Sequence, residues 1–506
     1  MTKRQLILLG FILFKFVLHF FLISPEYDLQ RDEYLHLDQA NHLAWGYVSV
    51  PPVTSWISYL IQILGGTVFW VKFFPVLFGA LTIVVVWKAT ERLQGNLFAL
   101  ILSATCVLFS TLLRVNILYQ PNSLDILCWT TFYLIVILYL QTEKPKWLYM
   151  AAFVFSIGFL NKYNITFLII GLLPAILFTP YRKVFVRKDF YLALIIAFLL
   201  ILPNLFWQYN NNFPVFQHLK ELTDTQLVNT ERLGFLKSQI LIISGSLFVV
   251  FPTFYAVLFY KPFAKYKTFF WSLVFTLIIF IYFRAKPYYA MGLYPIYISF
   301  GSVFLGNVIT NSWKKYLQPL LMSIPILFFI CTLNMIYPNK SPAYFVENAS
   351  MYQKLGMLRW EDGKDHLMQQ DFADMLGWKE LAVMVDSIYA ELPNSEHTLL
   401  LCDNYGQAGA INYYATNKQV IAHSFSADYI NWFQFDKDMI DVVLVKVTAY
   451  DMDKDRTDET PYFDAVYLAG QRINPYARED TISIYVLKGA KMNVNTFIKD
   501  KIKSSF

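Results

Sequence analysis

The sequence predicts a polytopic α-helical membrane protein of about eleven transmembrane helices with a C-terminal extracytoplasmic α/β domain. Of its 506 residues, 56% are hydrophobic and only 15% are charged, whereas soluble domains have about 25% charged residues. The apolar residues cluster in runs close to the roughly 20 residues that a helix needs to cross a bilayer. Lipid offers no hydrogen-bond partners, so we expect these runs to satisfy their backbone groups as helices.

The first apolar run, QLILLGFILFKFVLHFFLI, follows Lys3 and Arg4 and ends without a small-residue cleavage pattern. It is therefore expected to be an uncleaved first span. Ten further runs lie near residues 68–88, 96–113, 124–141, 147–161, 164–179, 189–206, 236–259, 268–283, 288–306 and 315–337.

Charge is distributed unevenly along the chain. Residues 1–337 contain 25 Lys and Arg against 12 Asp and Glu, whereas residues 338–506 contain 17 against 24. Lys and Arg concentrate in alternate short loops, which predicts a cytoplasmic N-terminus and an extracytoplasmic C-terminal portion in a cell inner membrane. This basic excess requires no nucleic-acid partner. The four cysteines show neither a disulfide framework nor a zinc motif.

Beyond about residue 340 the pattern changes to that of an α/β domain. The stretches HTLLLC, MIDVVLVKV, FDAVYLAG and ISIYVLKGA are typical of strands. DFADMLGWKELAVMVDSIYAEL has the periodicity of an amphipathic helix. We therefore predict a membrane catalytic domain over 1–340, with its first outer loop at 24–67, and an extracytoplasmic domain over 341–506.

Most acids of the membrane half fall in outer loops under this topology. A loop acid is usually just solvated, but Asp32 and Asp125 each lie close to the end of a span. The reduced dielectric at such a position suits general-base chemistry. Asp32 is the primary candidate and Asp125 could join it, whereas Glu33 points elsewhere on a helix and is the weaker candidate.

Outer cations are few, which makes them informative. Arg284 and Lys286 stand two residues apart where the ninth span ends, and Tyr288 follows them; Lys162 lies at another outer end. Such groups could hold a phosphate, although simple snorkelling to the interface is the alternative. Outward-facing positive charge opposes the inside bias, which favours a functional role.

Metal binding stays open at the sequence level. Asp32, Glu33 and His36 have helical spacing and could bind a divalent metal, although an interfacial histidine is the simpler interpretation. No HExxH, Walker A or GxGxxG motif is present.

Several motifs together resemble one enzyme family. DEYLHLDQANHLAWGYVSVPPVTSWI, with Asp32-Glu33, Gly46-Tyr47 and Pro51-Pro52, resembles the first outer loop of the GT-C membrane glycosyltransferases, and more narrowly of glycosyltransferase family 39. That family includes the protein O-mannosyltransferases and the lipid A aminoarabinose transferase. Further matches follow in the same order: PNSLDILCW, GFLNKYNITFL, PNLFWQYNNNFPVFQH, RAKPYYAMGLYP, DFADMLGWKELA and NYGQAGAINYY. The shared order makes the resemblance stronger than any single motif does.

The resemblance implies transfer of a sugar from a polyprenyl-phosphate donor to an envelope lipid, glycan or protein at the outer face, with inversion. It implies that Asp32 acts as the base and that Asp125 supports the site. It assigns the donor phosphate to Arg284, Lys286, Lys162 and Tyr288, and the positioning of the acceptor or the loop to Tyr47, Pro51, Pro52 and His36. Membrane lipids are the other expected partners, and no cofactor is certain.

One departure and two alternatives accompany this hypothesis. Many relatives carry Lys or His just before the Pro-Pro pair, where this chain has Val50, so other cations must hold the phosphate or the donor differs. A transporter or flippase of lipid-linked glycans would show broken helices and polar groups at mid-membrane. The outer carboxylates favour an enzyme over a transporter, but they do not separate single-sugar transfer from transfer of a whole glycan.

Overall fold

The structure, a computed structural model, describes residues 1–225, 231–309, 312–417 and 419–504. It divides into two compact units. The membrane unit comprises Met1–Ile23, Val50–Thr54 and Gly66–Asn339, and the sheet unit comprises Ser24–Ser49, Ser55–Gly65 and Lys340–Phe506. Two segments of the first outer loop thus group with the C-terminal residues.

The membrane unit is helical throughout its regular structure. Each of the eleven predicted apolar runs forms helix, and the runs near 96–113 and 236–259 are each divided between two helices. The helices are Lys3–His19, Val68–Arg92, Leu97–Leu108, Leu112–Val115, Asn122–Thr142, Lys146–Asn161, Ile165–Leu177, Lys188–Asn210, Pro214–Thr225, Arg232–Ile242, Leu247–Phe259, Lys267–Tyr282, Tyr294–Val308 and Leu317–Ile336.

Helix length is uneven within this unit. In the described ranges, six helical segments are long and apolar enough to cross a membrane, or eight if each of two bent pairs is one span. The predicted eleven also include Lys3–His19, Leu97–Leu108 and Lys146–Asn161, which have 17, 12 and 16 residues. A 12-residue helix extends only about 18 Å. The polytopic helical prediction is confirmed, and these three helices are shorter than the standard span.

The sheet unit confirms the predicted α/β domain. Its strands are β1 (Thr398–Cys402), β2 (Ala422–Ser424), β3 (Asp441–Val447), β4 (Phe463–Ile473) and β5 (Thr481–Ala490), in the order β2-β1-β3-β5-β4. β1 pairs in parallel with β2 and β3, whereas β5 is antiparallel to β3 and β4. Its helices are Arg31–Asp38, Val53–Ile63 from its third residue, Pro342–Glu347, Ala349–Lys354, Gln370–Ala373, Trp378–Ala390, Tyr405–Tyr414 and Val494–Ser504.

Within the sheet unit, the helix Arg31–Asp38 packs against the helix Tyr405–Tyr414. Tyr34 is fully buried, and its ring centroid lies 5.8 Å from that of Tyr414. The helices approach closely because Gly409 has no side chain. A Cβ at Gly409 would lie 2.8 Å from the Tyr34 Cβ and 2.7 Å from the Tyr429 hydroxyl. The helix carrying Asp32 is therefore fixed by close packing.

Gly409→Ala is expected to destabilise the sheet unit, because the added methyl must push apart two packed helices. Overpacking of this kind costs about 1–3 kcal/mol in the free energy of unfolding. Thermal unfolding of the purified full-length protein measures the effect. Gly10→Ala is the matched control, since a Cβ there meets nothing within 4 Å. Equal melting temperatures for the two variants would contradict the packing argument.

A buried carboxyl holds the chain near residues 39–48 in the sheet unit. Asp428 accepts hydrogen bonds from the Val48 backbone N–H at 2.7 Å and from the Gln39 side-chain amide at 3.0 Å. Burial raises the pKa of Asp428 from 3.8 to about 6, although the two hydrogen bonds oppose the shift. Desolvation of the charged form therefore outweighs the donors.

This raised pKa predicts a pH-dependent stability. The folded-state pKa of Asp428 exceeds the unfolded value, so its stabilisation is complete below about pH 4 and is lost as the pH rises through about 6. Two pKa units correspond to about 2–3 kcal/mol. Asp428→Asn should remove this pH-dependent contribution, so the melting temperature of the variant should fall less between pH 5 and pH 8 than that of the wild type. Asp455→Asn, at an exposed position, should keep the wild-type slope, and an unchanged slope in Asp428→Asn would refute the assignment.

Candidate active-site residues

Asp125 lies in the first turn of the helix Asn122–Thr142 in the membrane unit and is buried. Its Oδ1 accepts a hydrogen bond from Trp129 Nε1 at 2.9 Å, and its Oδ2 accepts one from Asn164 Nδ2 at 2.9 Å. Asn164 also donates to the Tyr289 carbonyl at 3.0 Å. Both carboxylate oxygens are thus engaged in joining three segments. This geometry favours a positioning role for Asp125 over proton transfer.

Lys162 is the central cation of the membrane unit's candidate site. It follows the helix Lys146–Asn161, and its Nζ donates to Asn122 Oδ1 at 2.6 Å. The ammonium also lies 4.3 Å from the ring centroid of Tyr289 and 5.0 Å from that of Tyr288. These immediate partners are uncharged, and amide and aromatic groups stabilise a cation without neutralising it. None of these three contacts carries a negative charge, and the nearest charge of that sign that acts on the ammonium is the Asp125 carboxylate.

The other predicted cations differ in their surroundings. Lys286 is half-buried, and its positive charge acts on Lys162, as does the negative charge of Asp125. Two like charges that act on each other are both disfavoured, and an anion between them would relieve the repulsion. Arg284 is exposed, with a left-handed φ of 52° at the end of the helix Lys267–Tyr282. The structure thus brings Lys162, Lys286, Tyr288 and Asp125 together, with Arg284 more exposed than the rest.

The Tyr288–Tyr289 segment is held in place by a close contact with Trp129. It belongs to the tight helical turn Pro287–Leu293. A Cβ at Gly292 would lie 2.6 Å from the Trp129 Cγ, so only glycine allows this approach. The same indole donates to Asp125, which links the aromatic faces around Lys162 to the buried carboxylate.

Asp32 lies in the sheet unit, in the first turn of the helix Arg31–Asp38. Its Oδ1 accepts a hydrogen bond from the Tyr405 hydroxyl at 2.8 Å. Burial and the nearby Asp32 carboxylate raise the pKa of the Tyr405 phenol. The phenol therefore stays protonated and donates a hydrogen bond to the carboxylate. The guanidinium of Arg31 lies 4.4 Å from the Tyr405 ring centroid. Asp32 is therefore an oriented, partly exposed carboxylate.

Glu33 has a structural role in the same helix. It is fully buried, and its Oε2 accepts a hydrogen bond from the Gln30 backbone N–H at 2.6 Å. The Gln30 side chain in turn accepts a hydrogen bond from the backbone of the first helical turn, and together these bonds form a capping box. Glu33 is therefore occupied in the helix cap, and the ranking of Asp32 above Glu33 as the base candidate stays a prediction.

His36 and Tyr47 both make loop contacts in the sheet unit. Burial lowers the pKa of His36, whose ring lies 3.5 Å from the Gln39 side-chain oxygen. The Tyr47 hydroxyl donates to the His42 carbonyl at 3.0 Å and accepts from the Ala44 N–H at 3.1 Å. Both side chains thus contact the chain between residues 36 and 47. In the described ranges, no three His, Cys, Asp or Glu side chains gather as metal ligands.

Pro51 and Pro52 lie in the membrane unit just before the helix Val53–Ile63 and are buried. Proline at the start of a helix loses no helical hydrogen bond, because the first N–H groups have no partner within the helix. The Thr54 carbonyl accepts a hydrogen bond from the Tyr119 hydroxyl at 2.8 Å. The pair thus fixes where this helix begins.

Sequence reasoning missed several partners of these residues. Trp129 stands four positions after Asp125 on one helix, a spacing that could have indicated the contact. Asn164 lies in the NKYN stretch beside Lys162. Tyr405 is 373 positions from Asp32, and no local pattern connects the two.

Comparisons with known proteins agree with the motifs. The family model for dolichyl-phosphate-mannose-protein mannosyltransferase matches residues 49–207. The lipid A galacturonosyltransferase RgtD of Rhizobium johnstonii is 25% identical over 223 residues. That match spans 43% of this chain and 46% of the relative, so it extends over about half the length of each.

Among solved structures, ArnT from Cupriavidus metallidurans has the same fold. Its undecaprenyl phosphate complex matches with a TM-score of 0.61 at 13% identity, over 96% of this chain and 98% of that chain. The apo structure gives the same TM-score at 12% identity and the same coverage. These matches confirm the resemblance to the GT-C membrane glycosyltransferases and the polytopic helical fold with a C-terminal α/β domain.

Proposed function

We propose that this multi-pass membrane protein, similar to the GT-C glycosyltransferases, is an inverting transferase that moves a sugar from a polyprenyl-phosphate donor to an envelope acceptor. The observation that carries the proposal is the Lys162 ammonium, which is hydrogen-bonded to the Asn122 amide, lies on the Tyr288 and Tyr289 rings and feels the positive charge of Lys286 as well as the negative charge of Asp125. Such a site suits a phosphate that gains negative charge as it leaves. RgtD and ArnT support the class of reaction, since one is a lipid A glycosyltransferase and the other binds undecaprenyl phosphate.

The proposed reaction is one displacement at the anomeric carbon. The acceptor hydroxyl oxygen bonds to that carbon, and the bond to the donor phosphate oxygen breaks with its electron pair. Asp32 takes the acceptor proton, and Lys162 and Lys286, with Tyr288, stabilise the lipid phosphate that leaves. One base and one phosphate site are sufficient for inversion. No nucleotide-binding fold is required, because the leaving group is a lipid phosphate.

The remaining assignments follow the same hypothesis. We assign catalysis to the membrane domain 1–340 with its first outer loop 24–67, and an extracytoplasmic position to residues 341–506. Tyr47, Pro51, Pro52 and His36 would position the loop. The acceptor is a lipid, glycan or protein of the cell envelope, and the N-terminus lies in the cytoplasm. Many relatives carry Lys or His where this chain has Val50, so in this chain the donor phosphate would depend on Lys162 and Lys286.

A reconstituted transfer assay tests the proposal. Purified protein in liposomes is given radiolabelled polyprenyl-phosphate sugars and an envelope extract, and the label in the extract is measured after the donor is removed. Transfer that requires the protein supports the proposal. Movement of labelled lipid across the bilayer without transfer to any acceptor would instead indicate a flippase, and a transferred oligosaccharide with no single-sugar transfer would indicate a glycan ligase.

A further inference from the structure

The sheet unit contains a polar cavity of about 420 Å³. Small-molecule sites in proteins have volumes of about 300–1,000 Å³. The charged residues that line it are Arg31, Lys446, Arg478, Asp362, Asp403 and Glu479. The cavity is therefore large enough for one or two sugar rings and is rich in hydrogen-bonding groups.

The balance of charge in this cavity selects among ligand classes. Three cations and three carboxylates line it, so a simple anion would meet carboxylates and a metal ion would meet cations. Several of the carboxylates already have partners: Asp403 binds Lys446 at 2.5 Å, and Glu479 accepts from the Asn404 and Gln407 amides at 2.8 Å. A neutral polyhydroxyl ligand uses donors and acceptors together, since each hydroxyl does both. These walls fit a saccharide best.

Arg31 contributes a cationic wall to the cavity. The residue is partly buried, and its guanidinium lies 4.4 Å from the Tyr405 ring centroid. Guanidinium N–H groups donate hydrogen bonds and accept none, so Arg31 offers donors to the hydroxyl oxygens of a sugar.

Aromatic side chains complete the cavity. Trp360 is held by a hydrogen bond from its Nε1 to the Met368 carbonyl at 2.8 Å, and the His366 ring stacks on it at 3.6 Å. Tyr450 also lines the cavity, and its side chain is 82% exposed. Ligand pockets typically combine such aromatic surface with a few placed polar groups. An exposed phenol ring offers a flat face to the apolar side of a sugar.

We propose that this cavity binds the saccharide part of the acceptor. The inference rests on the proposed glycosyltransferase function and specifies its acceptor as a glycan or glycolipid. A contact path joins the cavity to the candidate base: Arg31 lies over the Tyr405 ring, and Tyr405 donates to Asp32. A saccharide that contacts Arg31 is therefore expected to affect the orientation of Asp32 through Tyr405.

Direct binding tests the cavity without any donor. The full-length protein in lipid nanodiscs is titrated with two neutral saccharides, N,N′-diacetylchitobiose and galactose, and, as an anion without a sugar, inorganic phosphate, and saturation-transfer NMR records the bound fraction. We expect saturable binding of at least one saccharide and none of phosphate. Tyr450→Ala should weaken saccharide binding about tenfold and leave the fold intact, because the side chain is exposed. Tyr462→Ala, at another exposed tyrosine of the same unit, should bind like wild type.

The possible results separate this inference from the proposed function. Absence of saccharide binding, equally strong binding of phosphate, or unchanged binding in both Tyr450→Ala and Lys446→Met would overturn the cavity assignment. Each of these results leaves the transfer assay unaffected. Conversely, saccharide binding that depends on Tyr450 in a protein that transfers no sugar would keep the cavity as a glycan site and reject the acceptor role.

Discussion

Asp32→Asn is expected to reduce sugar transfer by a factor of about 10²–10⁴, the usual contribution of a general base. The substitution keeps the size of the side chain and an oxygen that can accept the Tyr405 hydrogen bond. The helix Arg31–Asp38 should therefore keep its position, while the group that takes the acceptor proton is lost. Initial rates of label transfer in the reconstituted assay measure the effect, and unchanged thermal unfolding shows that the variant is folded.

Two matched variants make the Asp32 result specific. Glu33→Gln should retain most of the activity, because a glutamine oxygen can still accept the Gln30 N–H in the capping box. Glu26→Gln removes the same charge at an exposed position of the first outer loop and should transfer like wild type. If Glu33→Gln loses activity and Asp32→Asn does not, the base assignment moves to Glu33. If both retain activity, the base lies elsewhere while the class of enzyme stands.

Much of the fold could be predicted because it depends on hydropathy and periodicity. Every apolar run became helical, since a backbone in lipid has no other way to satisfy its hydrogen bonds. Four of the five strands were also predicted from their β-branched and alternating patterns. β2 was missed because it has only three residues, Ala422–Ser424, and its pairing is set by β1. The grouping of Ser24–Ser49 with the C-terminal residues could not be read from local patterns either.

For the candidate sites, too, local sequence indicated which residues to consider, whereas their individual contacts depend on residues distant in the chain. Lys162 and Lys286 were selected because outward-facing cations oppose the inside bias, and Tyr288 because it follows the basic pair; all three lie in the membrane unit, where the Lys162 ammonium contacts the Tyr288 ring. The roles of individual residues needed geometry. The hydrogen bonds on both oxygens of Asp125 and the capping contact of Glu33 become evident only when their partners are placed. Tertiary contacts decide which carboxylates are held in place and which are available.

Geometry also ranks the predicted phosphate-binding cations. Lys162 is hydrogen-bonded to Asn122 and enclosed by two aromatic faces, so its ammonium is held in one position. Arg284 is exposed, so its charge is screened by water and ions. A fixed cation in reduced dielectric stabilises a leaving phosphate far better than a mobile, solvated one. The expected order of importance is Lys162, then Lys286, then Arg284.

Lys162→Met should therefore lower the turnover rate by about 10²–10³, the range seen when one preorganised donor to a developing anion is removed. The methionine keeps most of the apolar stem but has no ammonium with which to stabilise the leaving phosphate. The loss should appear mainly in kcat, because the negative charge on the phosphate grows in the transition state. Rates measured over a range of donor concentrations separate kcat from KM.

Lys237→Met provides the control for Lys162→Met, since it removes one positive charge from an exposed position of the same unit. It should transfer at nearly the wild-type rate. Lys162→Arg keeps the charge but alters its geometry, so intermediate activity would show that both charge and position matter. A Lys162→Met protein that raises KM without lowering kcat would mean that Lys162 binds the donor equally in the ground and transition states. Full activity in Lys162→Met would remove the phosphate site from this cluster.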